Sequence, residues 1–567
     1  MAAAEAAVPT GRWWRCAPPV GLVCCVLLLL CLFATPTAAQ GGNPAGPAGF
    51  DTAAVADVYA AALTFMAPRI LDPIPVPQLT VWGLHGLTAL DPRVEATASE
   101  TQVRLAFDGQ VLRELPPPPV NDTAAWASLA ADLAAAAVPA SVPVRRAGTQ
   151  GIVRNFFDEV FNHLDPYSRY EPPQAATEDR ESRSGDAGTG LRVTARRSGA
   201  VVTQVLGESP AALAGIRPGD RLLEVDGQPT RGRPAGVVED WLAGAEGTTC
   251  TLVWRSRDGH RRTTDLVRAL VPPETVFAQH AGDALLLRVT GFNHSTSGHL
   301  AAAVRAALAT AHPPAGLVID LRGNRGGLLL ESVAAADLFL DGGPIASTAG
   351  RDPQADHVFV ASLKADPIIV PVVVLVDGRT ASSAEILAAV LADRGRAVVV
   401  GSSTFGKGLV QTVTTLPDGG ELFVTWSRVL APLGWPLQGL GVMPQVCTSF
   451  GETEVAQQLA ALARGSAPMA RAVATERESR APVPAAQAVA VRSACPAAEG
   501  REEDVGVARW LIDHPGGYAT ALLPPLRATT GQAGDGRLAP TPPAGAPAAT
   551  GNAVTGRAVT GQAITGQ

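Results

Sequence analysis

The chain has 567 residues, of which 47% are hydrophobic and 17% charged, and its formal net charge is −7. This length is sufficient for three or four domains with a large buried core. The acidic balance lacks the basic excess that is typical of nucleic-acid-binding proteins, so we predict no nucleic-acid partner.

The first 39 residues have the pattern of a secretory signal peptide. Arg12 and Arg15 precede an apolar run at residues 20–34, and small residues follow, which predicts cleavage after Ala39. The apolar run is only 15 residues long, which is short for a membrane span, so a retained anchor is the weaker alternative. We therefore predict export, in a bacterium to the periplasm, with peripheral membrane association as a further option.

Residues 40–180 are predicted to form a helical N-terminal region. Alanine-rich runs at residues 53–67 and 123–137 favour two helices. A role as a scaffold or an oligomerisation surface and a role in packing alone are equal alternatives for this region.

Residues 185–270 have a pattern that is typical of a small β-rich module. The stretch at 209–220 predicts a short helix that ends at Gly215 and a Pro-Gly-Asp turn, and residues 222–227 predict a strand that enters an Asp-Gly hairpin turn. A further strand at 249–254 makes Cys250 a buried thiol. This segment resembles a PDZ domain, which implies that it binds a peptide by strand addition and holds the terminal carboxylate with backbone amides.

By that resemblance the carboxylate-binding loop is 188–193, and the helix beside the groove is 237–242. The implied substrate-binding residues are Gly190, Leu191, Arg192 and Val193. Arg192 replaces the small residue that is usual in this loop. The alternative is that the domain serves as a rigid spacer or regulator.

The stretch at 315–327 predicts a buried strand that runs into a glycine-rich turn. Glycine lets the backbone approach a ligand and point N–H groups at it, as stabilisation of an oxyanion requires. We therefore predict Gly326 and Gly327 as oxyanion donors, together with the N–H of Ser383. The alternative is a turn that caps a helix beginning near Leu328. Asp320 and Arg322 are interpreted as a structural pair.

Ser382 and Lys407 could supply a nucleophile and a base without a histidine. Residues 371–376 and 396–401 read as buried strands, and 384–391 reads as a helix, so Ser382 lies near a strand-to-helix junction. Lys407 lies in a glycine-flanked turn. A lysine acts as a base only when neutral, and lowering its pKa to near 7 costs roughly 4–5 kcal/mol, which burial can supply. The alternative is a helix-capping serine and a solvated lysine.

These motifs resemble those of the C-terminal processing peptidases, which are tail-specific serine peptidases with a Ser–Lys dyad. The small-residue run that contains Ser382 and ends at Glu385, and the Phe-Gly-Lys-Gly-x-Val-Gln run at 405–411, carry the resemblance. It implies that Ser382 is the nucleophile, Lys407 the general base and Gln411 the residue that orients the lysine. The element at 164–170 resembles the one that precedes the PDZ domain in this family.

The predicted fold class is α/β and multidomain, with a mixed-sheet peptidase core, a β-rich PDZ module and helical flanking regions. Residues 271–448 are assigned to the catalytic core, 449–525 to a C-terminal helical region, and 526–567 to a disordered low-complexity tail. Cys447 and Cys495 could pair in an oxidising compartment. We predict no metal and no cofactor.

The predicted function is that of a serine endopeptidase that cleaves exported proteins near their C-termini. Its partners would be proteins or peptides with free C-termini, with an adaptor protein and homo-oligomerisation as further options. An inactive PDZ-containing scaffold is the alternative. A lipase or esterase with a Gly-x-Ser-x-Gly motif is disfavoured, because Thr380 and Ala384 flank Ser382.

Overall fold

The structure is a computed structural model that describes residues 50–365 and 367–524. The predicted signal peptide at residues 1–39 and the predicted disordered tail at residues 526–567 lie outside the described residues. The helices and strands all belong to the unit that begins at Phe50.

The N-terminal region contains helices and a three-stranded antiparallel sheet. Its elements are α1 (Thr52–Arg69), α2 (Val76–Leu90), β1 (Val94–Ala98), β2 (Val103–Phe107), β3 (Gln110–Leu115), α3 (Thr123–Ala140) and α4 (Val142–Asn162), which is kinked at Gly148. The two predicted helices correspond to α1 and α3, but the expectation of a helical region is incomplete. Asp108 and Gly109, with φ angles of 47° and 76°, form the turn between β2 and β3 that the alanine-rich composition obscured.

Among the described residues, α3 is the one helix that is long and apolar enough to cross a membrane by length and composition. It packs against α1 and α2, and Trp126, Leu129 and Leu133 on it are buried in the core of this region. We therefore interpret α3 as a core helix.

The PDZ-like module follows a connecting strand and helix, β4 (Arg169–Glu171) and α5 (Pro173–Ser184). Its elements are β5 (Asp186–Gly188), β6 (Leu191–Arg196), β7 (Gly199–Val205), α6 (Pro210–Leu213), β8 (Arg221–Val225), β9 (Gln228–Pro229), α7 (Ala235–Leu242), β10 (Thr249–Arg255), β11 (Arg261–Val267) and β12 (Ala269–Val271). The main sheet has the order β11-β10-β8-β7-β6, so β6 is an edge strand, and α7 packs beside it. Cys250 is buried and free, as predicted.

A six-stranded mixed sheet forms the centre of the catalytic core. Its elements and surrounding helices are β13 (Val276–Ala281), β14 (Ala284–Val289), α8 (Thr296–Leu308), β15 (Gly316–Asp320), α9 (Leu329–Asp337), β18 (Val372–Val376), α10 (Ser383–Asp393), β19 (Ala397–Gly401) and β22 (Val446–Cys447). The strand order is β13-β14-β15-β18-β19-β22, and all pairs except β13–β14 are parallel. Because β15, β18 and β19 are buried on both faces, they are apolar along their length except for Asp320, the last residue of β15.

A second, antiparallel sheet lies beside this core. It contains β16 (Pro344–Gly350), β17 (His357–Val360), β20 (Leu409–Thr415) and β21 (Glu421–Leu430), in the order β17-β16-β21-β20. Strand β4 also pairs with β21, and this pairing brings the segment before the PDZ-like module against the catalytic core.

The C-terminal region consists of α11 (Glu452–Ala463), α12 (Ala470–Glu478), α13 (Ala485–Arg492), α14 (Glu503–Asp513) and α15 (Pro515–Ala521). Side chains of α11 and α14 cover one face of the mixed sheet, and α8, α9 and α10 cover the other. A disulfide joins Cys447 to Cys495. Beyond it, the carbonyl of Ala498 accepts hydrogen bonds from the Gly378 N–H at 2.8 Å and from the Ser402 hydroxyl at 3.0 Å.

Candidate active site

Ser382 lies in a tight turn between the carboxyl end of β18 and the first residue of α10. Its φ of 57° and ψ of −123° are unusual for a residue with a side chain, and such backbone strain is found at functional sites. Thr380 holds the turn by donating its hydroxyl to the Leu321 carbonyl at 2.9 Å, and the Ala381 N–H donates to the Asn324 carbonyl at 2.9 Å. The turn is therefore fixed by its contacts with the loop after β15.

Glu385 joins this turn to the turn that carries Lys407. One carboxylate oxygen, Oε2, accepts from the Ser382 N–H at 2.7 Å and from the Lys407 N–H at 2.9 Å. The other, Oε1, accepts from the Gly406 N–H at 2.6 Å and from the Thr404 hydroxyl. Burial raises the pKa of Glu385, and these four hydrogen bonds oppose that shift. One carboxylate oxygen thus accepts hydrogen bonds from the backbone N–H groups of both Ser382 and Lys407.

Lys407 is held in surroundings that favour its neutral form. Burial, and to a smaller extent the charge of Arg169, lower the pKa of Lys407 to about 8, while Asp165 and Glu385 partly oppose this shift. Its Nζ lies 4.8 Å from the ring centroid of Tyr167. A substantial fraction of Lys407 is therefore neutral at mildly alkaline pH, as a general base requires.

We expect the rate of peptide cleavage to follow the deprotonation of Lys407. Because its pKa is lowered to about 8, kcat/KM should rise about tenfold per pH unit below that value and level off above it. A profile of kcat/KM from pH 6 to pH 10 measures this. A plateau that extends unchanged down to pH 6 would contradict Lys407 as the base.

The glycine-rich turn after β15 lies directly against Ser382, but the predicted oxyanion donors need a correction. The N–H of Gly326 donates to the side chain of Asn324 at 2.8 Å and is therefore occupied. A Cβ at Gly326 would lie 2.8 Å from the Cβ of Ser382, so glycine is needed there for close approach. Among the described residues the N–H groups of Gly327 and Ser383 have no hydrogen-bond partner, and the Ser383 hydroxyl donates to the Gly327 carbonyl at 2.8 Å.

Gln411 is fully buried on β20, directly opposite Thr425 on β21. Its Nε2 donates to the Thr425 hydroxyl at 3.0 Å and to the Leu409 carbonyl at 3.3 Å. The structure thus places Gln411 four residues beyond Lys407 on a buried strand, with its side chain oriented by a neighbouring strand.

A cleft of about 600 Å³ leads to this site. Gly326, Gly327 and Lys407 line it together with Arg169 and Arg183 from the segment before the PDZ-like module. The sequence did not predict that Arg169 and the Tyr167 ring contribute to this site. The Leu-Asp-Pro-Tyr-Ser-Arg-Tyr pattern at 164–170, which contains both residues, could have indicated it.

Asp320 and Arg322 form the predicted structural pair. Arg322 contacts Asp320 at 2.7 Å and Asp504 of α14 at 3.2 Å, so it joins the end of β15 to the C-terminal region. Elsewhere, the carboxylates of Glu171, Asp179 and Glu421 lie within 4.8 Å of one another. Arginine side chains pair with each of them, which makes this group an ion-pair network.

The predicted peptide-binding residues lie in the PDZ-like module, at the open edge of β6. Gly190, Leu191 and Arg192 line a small groove between β6 and α7. The N–H of Val193 points into this groove, where it donates to Glu239 Oε1 of α7 at 3.0 Å. Strand β6 is the last strand in the order of this sheet, and strand addition uses such an edge.

Comparison with known proteins identifies the family. A model of peptidase family S41 matches residues 283–448, and a PDZ domain model matches residues 201–256. The chain is 33% identical over 302 residues to a protein of Bartonella bacilliformis named carboxy-terminal-processing protease, a match that covers 52% of this chain and 69% of that relative. The chain belongs to peptidase family S41. It is a serine-type peptidase of the C-terminal processing class with a PDZ domain.

Two further similarities are to a second bacterial relative and to a solved structure. A Staphylococcus aureus protein named probable CtpA-like serine protease is 33% identical over 287 residues, and the match spans 50% of this chain and 57% of that protein. A solved structure titled photosystem II D1 C-terminal processing protease is 27% identical, with 65% of this chain and 92% of that chain covered and a TM-score of 0.32.

Proposed function

We propose that this S41 peptidase cleaves exported proteins near their C-termini through a Ser382–Lys407 dyad, and that its PDZ groove recognises the substrate's tail. The observation that carries the proposal is the shared oxygen of Glu385, which accepts from the backbone of both residues. The lowered pKa of Lys407, to about 8, supports the same assignment.

In the proposed mechanism, neutral Lys407 takes the hydroxyl proton of Ser382 as Oγ attacks the scissile carbonyl carbon. The tetrahedral oxyanion accepts hydrogen bonds from the N–H groups of Gly327 and Ser383, which have no other partner among the described residues. The Lys407 ammonium then gives its proton to the leaving amine, and an ester on Ser382 remains. Water hydrolyses this ester, with Lys407 again acting as the base.

The geometry of the PDZ domain supports tail recognition. Strand β6 is the sheet edge that faces α7, and the N–H of Val193 is aimed into the groove between them. An extended substrate tail would replace Glu239 as the acceptor for this N–H, and its terminal carboxylate would meet the backbone around Gly190 and Leu191.

We expect that amidation of a substrate peptide's C-terminus weakens its binding. Loss of a set of charge-assisted hydrogen bonds is worth roughly 1.5–3 kcal/mol, so cleavage at low substrate concentration should fall about ten- to a hundredfold. Acid and amide forms of one peptide are compared with the intact chain, and acetylation of the N-terminus provides the matched control. Background is measured with Ser382→Ala. Equal cleavage of the acid and amide forms would favour the spacer interpretation of the PDZ domain.

Two features support the proposal that the enzyme acts outside the cytoplasm. Residues 1–39 have the pattern of a signal peptide, and Cys447 and Cys495 form a disulfide, which persists in oxidising compartments. In a bacterium this compartment is the periplasm. An adaptor protein, homo-oligomerisation and peripheral membrane association remain further proposals.

A further inference from the structure

The amide group of Gln411 is fully buried, and its oxygen has no hydrogen-bond partner among the described residues. Its Nε2 has two acceptors, whereas its Oε1 is buried and has no hydrogen-bond partner among the described residues. A buried acceptor without a donor is unfavourable, so the neighbours of the amide must impose this orientation.

Thr425 imposes the orientation, because its hydroxyl has only one proton to donate. That proton goes to Asp165 Oδ1, at 2.7 Å, and a carboxylate can only accept. The Thr425 oxygen can therefore only accept from Gln411, which turns the amide nitrogen of Gln411 towards Thr425 and its carbonyl oxygen away. A register shift between Val410 and Gln411 in β20 accompanies the pairing of Gln411 with Thr425.

Asp165 is itself held firmly on the segment before the PDZ domain. Its Oδ1 also accepts from the N–H groups of Tyr167 at 2.9 Å and Ser168 at 3.0 Å, and its Oδ2 accepts from the Ser168 hydroxyl at 2.5 Å. The Ser168 oxygen in turn accepts from the Thr425 N–H at 3.0 Å. The hydrogen bonds of residues 165–168 thus fix the position of the Asp165 carboxylate relative to Thr425.

The same segment contacts the lysine. The Tyr167 ring lies 4.8 Å from Lys407 Nζ. A lysine ammonium has only donors and needs acceptors when it forms in the reaction, and the buried carbonyl oxygen of Gln411 is an acceptor that is still available.

We propose that Asp165 and Thr425 are positioning residues that act as a hydrogen-bond relay, which sets the amide of Gln411 so that its Oε1 accepts from Lys407 in the reacting complex. This inference rests on the proposed Ser382–Lys407 dyad. Thr425 acts on the base through Gln411, and Asp165 does so in addition to the direct effect of its charge on Lys407.

The relay is tested by a substitution that removes the hydroxyl of Thr425 and keeps the shape of its side chain. Thr425→Val should lower kcat about tenfold or more with little change in KM, and Thr425→Ser should restore kcat to within about threefold. Thr412→Val, which makes the same exchange on β20 outside the relay, should leave kcat unchanged. The pH profile distinguishes positioning from a structural role, because loss of the acceptor destabilises the Lys407 ammonium and should move the acid limb of kcat to lower pH in Thr425→Val.

A double-mutant cycle tests whether Thr425 acts through Gln411. In a Gln411→Ala background, Thr425→Val should lower kcat less than about twofold further. Two results would overturn the relay: multiplicative effects of the two substitutions on kcat, or a wild-type kcat together with a wild-type acid limb in Thr425→Val. The proposed dyad would stand in either case, provided that Ser382→Ala is inactive. Turnover by Ser382→Ala would instead overturn the dyad and the relay together. Melting temperatures are measured for each variant, and Thr425→Ala replaces Thr425→Val if the latter is unfolded at the assay temperature.

Discussion

Replacement of Ser382 or Lys407 by alanine is expected to lower kcat by roughly a thousandfold or more, because in the proposed dyad the first change removes the nucleophile and the second its base. The two single variants should lose similar amounts of activity, since nucleophile and base act as one unit. Peptide cleavage and covalent labelling by a fluorophosphonate measure the loss. Gln411→Ala should keep a residual rate, because it only loosens the position of the lysine.

The chain offers a matched control for the lysine variant. Its sequence contains one other lysine, Lys364, which pairs with Asp337 at 3.1 Å, away from the active site. Lys364→Ala should cleave at the wild-type rate. Near-normal turnover by Lys407→Ala, in a folded protein, would show that another group is the base.

Glu385→Gln is expected to damage both catalysis and folding. The wild-type carboxylate accepts four hydrogen bonds in a fully buried position, and a glutamine would turn an amide N–H₂ towards two of those donors. Each buried donor without a partner costs about 1–3 kcal/mol, so the free energy of unfolding should fall by about 2–4 kcal/mol. Since the backbones of Ser382 and Lys407 lose their common acceptor, kcat/KM should fall about a hundredfold.

Denaturant unfolding and kcat/KM measure the two effects separately. Glu454→Gln, at an exposed position in the first turn of α11, makes the same chemical change and should alter neither quantity appreciably. A Glu385→Gln variant with wild-type stability and activity would mean that the carboxylate does not organise the two turns.

Local features of the sequence were sufficient to predict much of the fold around the candidate site. The apolar β-branched run at 371–376, the small residues at 380–384 and the glycines around Lys407 predict a strand, a tight turn, a helix and a second turn, and the structure has each of them. The short helix and the Asp-Gly hairpin of the PDZ domain were predictable for the same reason, because neighbouring residues in the chain determine these conformations.

Contacts between distant parts of the chain could not be predicted in this way. The sequence suggests Glu385 only as an acidic residue in the first turn of a helix, whereas its role as a common acceptor depends on a turn that lies 22 residues further along the chain. Gly326 was predicted as an oxyanion donor because glycine is flexible. The folded turn brings the side chain of Asn324 to the Gly326 N–H, and this competing acceptor could not be predicted from the sequence.

The sequence by itself determined the family resemblance and the order of the domains' main elements, and it predicted the pair Ser382 and Lys407, because these depend on residue types and short spacings. Only the tertiary structure decided what surrounds the pair. Asp165 is 260 residues from Thr425, yet β4 and β21 pair as neighbours and bring the two side chains to 2.7 Å. The orientation of Gln411 and the burial that lowers the pKa of Lys407 to about 8 follow from such long-range packing, which local patterns do not encode.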